Sequence, residues 1–242
     1  MTFGQSWRTL LKSFKMSYEH LGKLALLNLV WFTVGVGPLM IGAYLPWESP
    51  LVLFVAGMLS LITLGGAFPA LHSMTNRIID GEVINWRQFL PAFKKYVVRG
   101  TILLALRLFG FFVLTFNIWV ALNKPSTLYL ILSGFWLWGI VYWYAMQQYV
   151  YPLLTRHDLG VLTVLKRAAL LTLDNPLASV FVFVISVVIN VLSVILTVPL
   201  TIFTAGFLAF LQNNFLLGLL EKYSEPEEKV VESGEQQQEG GE

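Results

Sequence analysis

The chain has 242 residues, of which 56% are hydrophobic and only 12% are charged, whereas a soluble domain usually carries about 25% charged residues. A water-soluble core cannot bury so many apolar side chains, so a lipid bilayer is the expected second solvent. The chain has no cysteine, which excludes disulfides and thiolate metal sites. Its basic residues flank apolar runs and do not form one soluble face, which argues against nucleic-acid binding.

Residues 1–23 are predicted to form an amphipathic helix that lies in the cytoplasmic interface of the membrane. Their apolar side chains recur at helical spacing, while Arg8, Lys12 and Lys15 fall mainly on other faces. That pattern is typical of a helix whose apolar stripe enters the acyl boundary of the bilayer. The stripe consists of Trp7, Leu10, Leu11, Phe14, Tyr18 and Leu21.

Residues 24–223 are predicted to form an all-α membrane domain, a polytopic bundle of six transmembrane helices in three hairpins. Each span has about 20 to 25 residues, which at about 1.5 Å per residue matches a hydrocarbon core of roughly 30 Å. Residues 175–220 hold no charge but are too long for one crossing, so Pro199 is predicted to mark a turn. The spans are placed at 24–45, 51–75, 98–121, 127–150, 177–198 and 200–220.

A basic amphipathic segment precedes each hairpin, a pattern that indicates a threefold repeat. In the middle segment, Asn85 and Gln88 have the spacing of a helix N-cap and its return partner. Asp174-Asn175-Pro176 predicts the start of the fifth span, and Gly65 with Gly66 predicts a close approach between helices. The three segments contain L-L-K-S-F-K at 10–15, F-L-P-A-F-K-K at 89–95 and V-L-K-R-A-A-L-L at 164–171.

The distribution of charge predicts the orientation of the chain. Lys and Arg concentrate before the first span and in the connections 76–97 and 151–176, whereas the three opposite turns hold only Lys124. By the positive-inside rule, the chain is a multi-pass protein of the cytoplasmic membrane with both termini in the cytoplasm. Residues 224–242 carry seven Glu and one Lys, a net charge of −6 that leaves +8 on the rest. This tail lacks aromatic residues and periodicity, and is predicted to be disordered.

The chain contains no recognisable catalytic motif. A Gly-rich phosphate loop, H-E-x-x-H and G-x-S-x-G are all missing, so neither an enzymatic activity nor a cofactor is predicted. No Asp or Glu lies inside a predicted span, which argues against proton-coupled transporters and intramembrane aspartyl proteases.

One polar layer in the cytoplasmic half of the bundle is the candidate site. Arg107 lies about 12 Å beyond Arg99 along its helix, and a charge at that depth is expensive. The other members fall at similar depth, on the second helix of each hairpin. They are His72, Gln147, Gln148, Gln212, Asn213 and Asn214.

This layer has two interpretations. The structural one is that Arg107 extends back to the interface and that the amides hydrogen-bond between helices. The functional one is a binding site or vestibule open to the cytoplasm. In that case Arg107→Ala abolishes activity without loss of folded protein.

Several short motifs resemble the YesL-like family, bacterial membrane proteins of unknown function. Asn28-Leu29-Val30-Trp31-Phe32 followed by Gly37-Pro38 is similar to the first span of that family, and Pro69-Ala70-Leu71, Gly81-Glu82 and Phe93-Lys94-Lys95 continue the similarity. Members often occur beside genes for carbohydrate uptake. The resemblance therefore implies a non-enzymatic accessory or interaction protein, with a membrane permease as a partner besides the bilayer. The alternative is a small-solute transporter or channel that uses the polar layer around Arg107.

Overall fold

The protein is described from a computed structural model, in which every described element is helical. The structure describes residues 1–44, 50–124, 126–196 and 203–239, with side chains except at 39, 43, 44, 50, 53 and 224–239. The helices are α1 (Phe3–Glu19), α2 (Leu21–Gly35), α3 (Gly37–Tyr44), α4 (Pro50–Ile79), α5 (Phe89–Leu122), α6 (Thr127–His157), α7 (Val161–Asp174), α8 (Pro176–Leu196) and α9 (Ala205–Glu239). A short 3-10 helix (Trp86–Gln88) precedes α5.

Helices α4, α6 and α9 form the centre of the bundle, because each packs against the other two. Three further helices lie in the grooves between them: α2 contacts α4 and α9, α5 contacts α4 and α6, and α8 contacts α6 and α9. The amphipathic helices continue this order, since α1 packs on α9 and α7 packs on α6. A cyclic arrangement of this kind agrees with a threefold repeat in the sequence.

Four helices in the described part of the chain are long and apolar enough to cross a membrane: Phe54–Ile79, Trp86–Leu122, Thr127–His157 and Pro176–Leu196. Large apolar side chains on the outer faces of these helices are exposed, among them Phe109, Phe112, Phe116 and Trp119 of α5. A continuous apolar surface of this kind is suited to lipid and not to water. The structure therefore supports the helical membrane class predicted from composition.

The first and last predicted spans differ from this group of four. The predicted span 24–45 is interrupted at Val36, which separates α2 from the short α3. Helix α9, as described from Ala205, is not in this group, and Gln212, Asn213 and Asn214 interrupt its apolar stretch; residues 200–202 of the predicted span lie outside the described residues. The turn predicted at Pro199 lies outside the described residues.

Helix α1 is a separate element, as the sequence predicts. The face that it buries against the protein is mostly serine and is not the predicted apolar stripe. Ser6, Leu10, Ser13 and Ser17 are buried, and this face packs on α9. Apart from Leu10, the predicted apolar stripe is exposed, as a surface that faces lipid should be. The small serines allow α1 and α9 to approach closely.

Two predicted helix starts are confirmed. Asn85 accepts a hydrogen bond from the backbone N–H of Arg87 (3.0 Å), and the Gln88 side chain accepts one from the backbone N–H of Asn85 (3.3 Å). Helix α8 begins at Pro176, directly after Asn175. At the other end of the chain, α9 continues as helical backbone to Glu239, whereas the composition predicts disorder from Ser224; the disorder of this tail stays a prediction.

Candidate ligand-binding cavity between the central helices

A cavity of about 180 Å³ lies among the three central helices and the helices α2, α5 and α8 that flank them. Five of the seven residues predicted as a polar layer line it: His72, Arg107, Gln147, Gln148 and Gln212. The minimum space for one ordered water is about 10–15 Å³, so this cavity is too large to be a single water site. The further lining residues are Trp31, Phe68, Leu71, Tyr151, Ser186, Asn190, Thr204, Ala205, Leu208 and Ala209.

One wall of the cavity is a closed hydrogen-bond network centred on Gln148. Its Oε1 accepts from Ser186 Oγ (3.0 Å) and from Gln212 Nε2 (2.8 Å), while its Nε2 donates to the carbonyl of Tyr144 (3.2 Å). These bonds join α6, α8 and α9. Gln148 and Gln212 therefore hold the wall together, as the structural interpretation of the layer expects.

A second group of lining residues forms an aromatic wall. Trp31 and Phe68 have ring centroids 5.3 Å apart, Phe68 stacks on Tyr151 at 5.5 Å, and Tyr151 lies 5.7 Å from the His72 ring. These side chains come from α2, α4 and α6. Rings that interlock in this way keep the wall rigid.

Three buried hydrogen-bond donors on the lining residues find no acceptor among the residues that the structure describes. They are Nε1 of Trp31, Nε2 of Gln147 and the hydroxyl of Tyr151. The side chains are 8%, 4% and 3% exposed, respectively. A buried polar group without a partner costs about 1–3 kcal/mol, and such groups are rare in folded proteins. Within the described residues one further buried side-chain atom has no partner, Ser17 Oγ on α1, so three of these four atoms belong to the lining of one cavity.

Arg107 places a positive charge on the same cavity. Its Cζ lies 5.8 Å from the centroid of the Tyr144 ring, and its backbone carbonyl accepts a hydrogen bond from Trp143 Nε1 (3.2 Å). Within the described residues its guanidinium has no carboxylate partner. Arg99 and Arg156, by contrast, pair with Asp158 and Asp80. The cation–π contact with Tyr144 supplies only part of the compensation that a charge at this depth needs.

The hydrogen bonds of Asn213 determine the tautomer of His72. Asn213 Nδ2 donates to the carbonyl of His72 (3.0 Å) and to Thr75 Oγ1 (2.7 Å), so its Oδ1 is the atom that faces His72 Nδ1 at 3.2 Å. An amide oxygen can only accept, and therefore Nδ1 carries the hydrogen. In the neutral ring, Nε2 of His72 is then left as an acceptor.

Asn213 and Asn214 do not line the cavity. Asn213 joins α9 to α4 behind His72, and Asn214 Nδ2 donates to Ser13 Oγ (3.2 Å), which joins α9 to α1. Both are buried. For these two residues the geometry matches the structural interpretation, in which an amide links two helices.

Several lining residues were not part of the predicted layer. Trp31 and Tyr151 were missed because aromatic residues in apolar runs usually indicate packing or interface anchoring. Ser186 and Asn190 carried a usable signal, since they are polar residues four positions apart, on one face of a predicted span. No motif would have found the remaining apolar lining.

Outside the cavity, the main charged cluster joins α5 to the end of α6. Asp158 has φ 51° and pairs with Arg99 (2.6 Å) and Lys95 (3.1 Å). Burial alone would raise the pKa of Asp158, but the hydrogen bonds from Arg99 and Lys95 outweigh it and hold the pKa below its usual value. The described residues contain no group of three His, Asp or Glu side chains that could hold a metal ion.

No family model, curated protein or solved structure matches this chain. The YesL-like resemblance therefore stays an expectation.

Proposed function

We propose that the protein crosses the cytoplasmic membrane six times and binds a small solute in the central cavity, as a transporter or channel does. The observation that carries this proposal is a cavity lined by Arg107, whose guanidinium has no carboxylate partner within the described residues, and by three residues with a buried donor that finds no acceptor there: Trp31 Nε1, Gln147 Nε2 and the Tyr151 hydroxyl. Ligand sites are typically apolar cavities with a few polar groups that converge on the ligand.

The energetic cost of these donors favours binding over packing. Polar residues that only link helices find partners in the folded protein, as Gln148, Asn213 and Asn214 do. The donors of Trp31, Gln147 and Tyr151 have no such partner within the described residues, so their hydrogen bonding is left to what the cavity holds. A function that needs them explains why they remain in the cavity.

The accessory role in carbohydrate uptake rests on the family resemblance and stays a prediction. It differs from the proposal in a measurable way. A transporter moves a solute when it is the only protein in a membrane, whereas an accessory protein does not and should copurify with its permease.

The test is reconstitution of the purified protein into liposomes loaded with a small-molecule extract of the cells that produce it. Mass spectrometry of the released solutes compares the wild type with protein-free liposomes. The substitution Ala205→Leu adds bulk to the cavity lining and should stop release. Gly134→Leu is the control, because a Cβ at Gly134 meets nothing within 4 Å.

We expect the wild type and Gly134→Leu to release a set of solutes that protein-free liposomes retain. Equal retention by wild-type and protein-free liposomes would contradict the proposal. Recovery of a stoichiometric membrane partner in that case would support the accessory role.

A further inference from the structure

We infer that the solute is a small organic anion, with an oxyanion group bound at Arg107 and a carbon body of a few atoms packed on the aromatic wall. This inference rests on the proposed function and specifies its substrate class. Three features of the cavity carry it: its charge, the imbalance between donors and acceptors, and its size.

The charge of the cavity is positive and has no acidic counterpart. The lining of the cavity, as the structure describes it, contains no Asp or Glu. With His72 neutral, Arg107 is therefore the one ionised residue of this lining. Other arginines of the described chain, Arg77, Arg99 and Arg156, each have a carboxylate within 3.4 Å. A guanidinium binds carboxylates and phosphates through a planar fork of N–H groups, so an oxyanion is the natural partner of Arg107.

The hydrogen-bonding groups point to the same class of ligand. Nε1 of Trp31 can only donate, and the unpaired atom of Gln147 is its amide nitrogen. The strongest acceptor of the network wall, Gln148 Oε1, already accepts two hydrogen bonds. The Arg107 guanidinium likewise can only donate, so a ligand bound there must offer acceptors, as a carboxylate does, while His72 Nε2 is left to accept a hydrogen bond. A cation would leave the donors unpaired and would be repelled by Arg107.

The size and the aromatic wall limit the rest of the molecule. An apolar cavity of about 150 Å³ accepts benzene, so about 180 Å³ accommodates a ring or a short chain in addition to a carboxylate. Phe68, Leu71 and Leu208 supply apolar surface for that body. The expected ligand is thus larger than an inorganic ion and smaller than a disaccharide.

The experiment measures thermal unfolding of the purified full-length protein with matched pairs of probes. Sodium benzoate and sodium butyrate are compared with benzamide and butyramide, which have nearly the same shape but no charge. Ionic strength and pH are held constant, so that screening does not differ between samples. The variants are Arg107→Gln, Arg107→Lys and, as the control, Arg87→Gln, which removes a guanidinium from the 3-10 helix outside the cavity.

We expect at least one acid to raise the midpoint of unfolding of the wild type by a few degrees, and its amide to raise it much less. Ligand at a concentration about 100 times its Kd stabilises by about 2.7 kcal/mol, which is large enough to measure. The shift should persist in Arg87→Gln and disappear in Arg107→Gln. Arg107→Lys keeps the charge but not the fork and should retain a reduced shift.

Each alternative outcome has a separate meaning. If the amides stabilise the protein as well as the acids do, or if Arg107→Gln responds like the wild type, the anion inference is wrong while solute binding stands. If neither acids nor amides change the unfolding midpoint of the wild type, the anion inference is wrong, and release from liposomes decides separately whether the proposed function stands. If Arg107→Gln does not fold, Arg107→Lys and the acid–amide comparison in the wild type still decide the question.

Discussion

At the scale of single residues, neighbouring side chains of the same type have different roles. Gln147 and Gln148 are both buried and both line the cavity, yet Gln148 makes three hydrogen bonds while Nε2 of Gln147 finds none within the described residues. Tyr149 and Tyr151 differ in the same way. The hydroxyl of Tyr149 lies 2.9 Å from Ser179 Oγ, and the hydroxyl of Tyr151 has no partner in the described chain.

The two tyrosines provide a matched test of whether the unpaired groups are kept for function. Ser179 Oγ already donates to the carbonyl of Asn175, so Tyr149 donates to Ser179. Tyr149→Phe should therefore reduce the free energy of unfolding by about 0.5–1.5 kcal/mol, the net value of one hydrogen bond. Tyr151→Phe should leave stability unchanged or raise it, because it removes a buried donor without a partner. Unfolding in detergent, followed by circular dichroism, measures both.

The binding of a solute supplies the second measurement on these variants. Tyr151→Phe should weaken the stabilisation by the acid that stabilises the wild type, and Tyr149→Phe should not. If Tyr151→Phe is the less stable variant of the two, the Tyr151 hydroxyl has a structural role and is not one of the unpaired donors that bind the solute.

How much of this site could be predicted depends on the type of residue. Arg107, His72 and the glutamines are conspicuous in the sequence because polar residues in apolar runs are expensive. The side chains of consecutive residues on a helix point about 100° apart, so Asn213 and Asn214 could not both face the cavity that Gln212 lines. Their common depth in the predicted span carries no information about this angle. Trp31 gave no signal, since its single N–H contributes little to an apolar side chain.

At the scale of elements, α4 and α5 cross so closely that neither of the two glycines at the crossing has room for a Cβ atom. A Cβ at Gly100 would collide with the backbone carbonyl of Gly65, and a Cβ at Gly65 would lie 2.5 Å from the Cα of Thr101. Pro69 contributes to this contact, because it has no N–H to donate to the carbonyl of Gly65 four residues earlier. The carbonyl is thereby free to face the backbone of α5. The prediction that Gly65 allows close helix approach is confirmed.

Substitution at this crossing should be costly. Gly100→Ala forces α4 and α5 apart and is expected to destabilise the protein by about 1–3 kcal/mol, the usual cost of overpacking. Gly134→Ala, on an open face of α6, should change stability by less than about 1 kcal/mol. Thermal unfolding of the two variants in the same detergent tests this directly. Equal midpoints for the two variants would show that the helices can separate at little cost, contrary to the expectation.

The boundaries of elements were less predictable than their existence. The starts at Asn85 and Asn175 follow from capping and proline signals that act within a few residues. The interruption of the first span at Val36 also has a local signal, since Gly35 ends α2, Gly37 begins α3 and Pro38 follows, but the apolar run on both sides predicts one continuous span. Hydropathy averages over about a whole span and therefore cannot detect a break of one residue.

At the scale of the whole molecule, the cyclic packing explains why the cavity lies where it does. Each central helix contributes polar side chains to the cavity: His72 from α4, Gln147 and Gln148 from α6, and Gln212 from α9. The flanking helices then add Trp31 from α2, Arg107 from α5 and Ser186 with Asn190 from α8. A site assembled from so many elements exists only if the proposed bundle closes, so its integrity depends on the topology of the whole chain.

That topology can be measured with little background, because the chain has no cysteine. Single cysteines are introduced by Val83→Cys, Ser126→Cys, Gly160→Cys and Ser233→Cys, and intact cells are treated with a membrane-impermeant maleimide. Val83, Ser126 and Gly160 are exposed and lie between helices, so labelling there reports the side of the membrane and not burial.

Six spans with both termini inside predict that only Ser126→Cys reacts in intact cells, and that all four variants react after the cells are opened. Reaction of Ser233→Cys together with Ser126→Cys, while Val83→Cys and Gly160→Cys stay unlabelled, would indicate one crossing after Gly160, so that the first part of α9 does not cross the membrane. Reaction of Val83→Cys, Gly160→Cys and Ser233→Cys, while Ser126→Cys stays unlabelled, would contradict the predicted orientation of the chain.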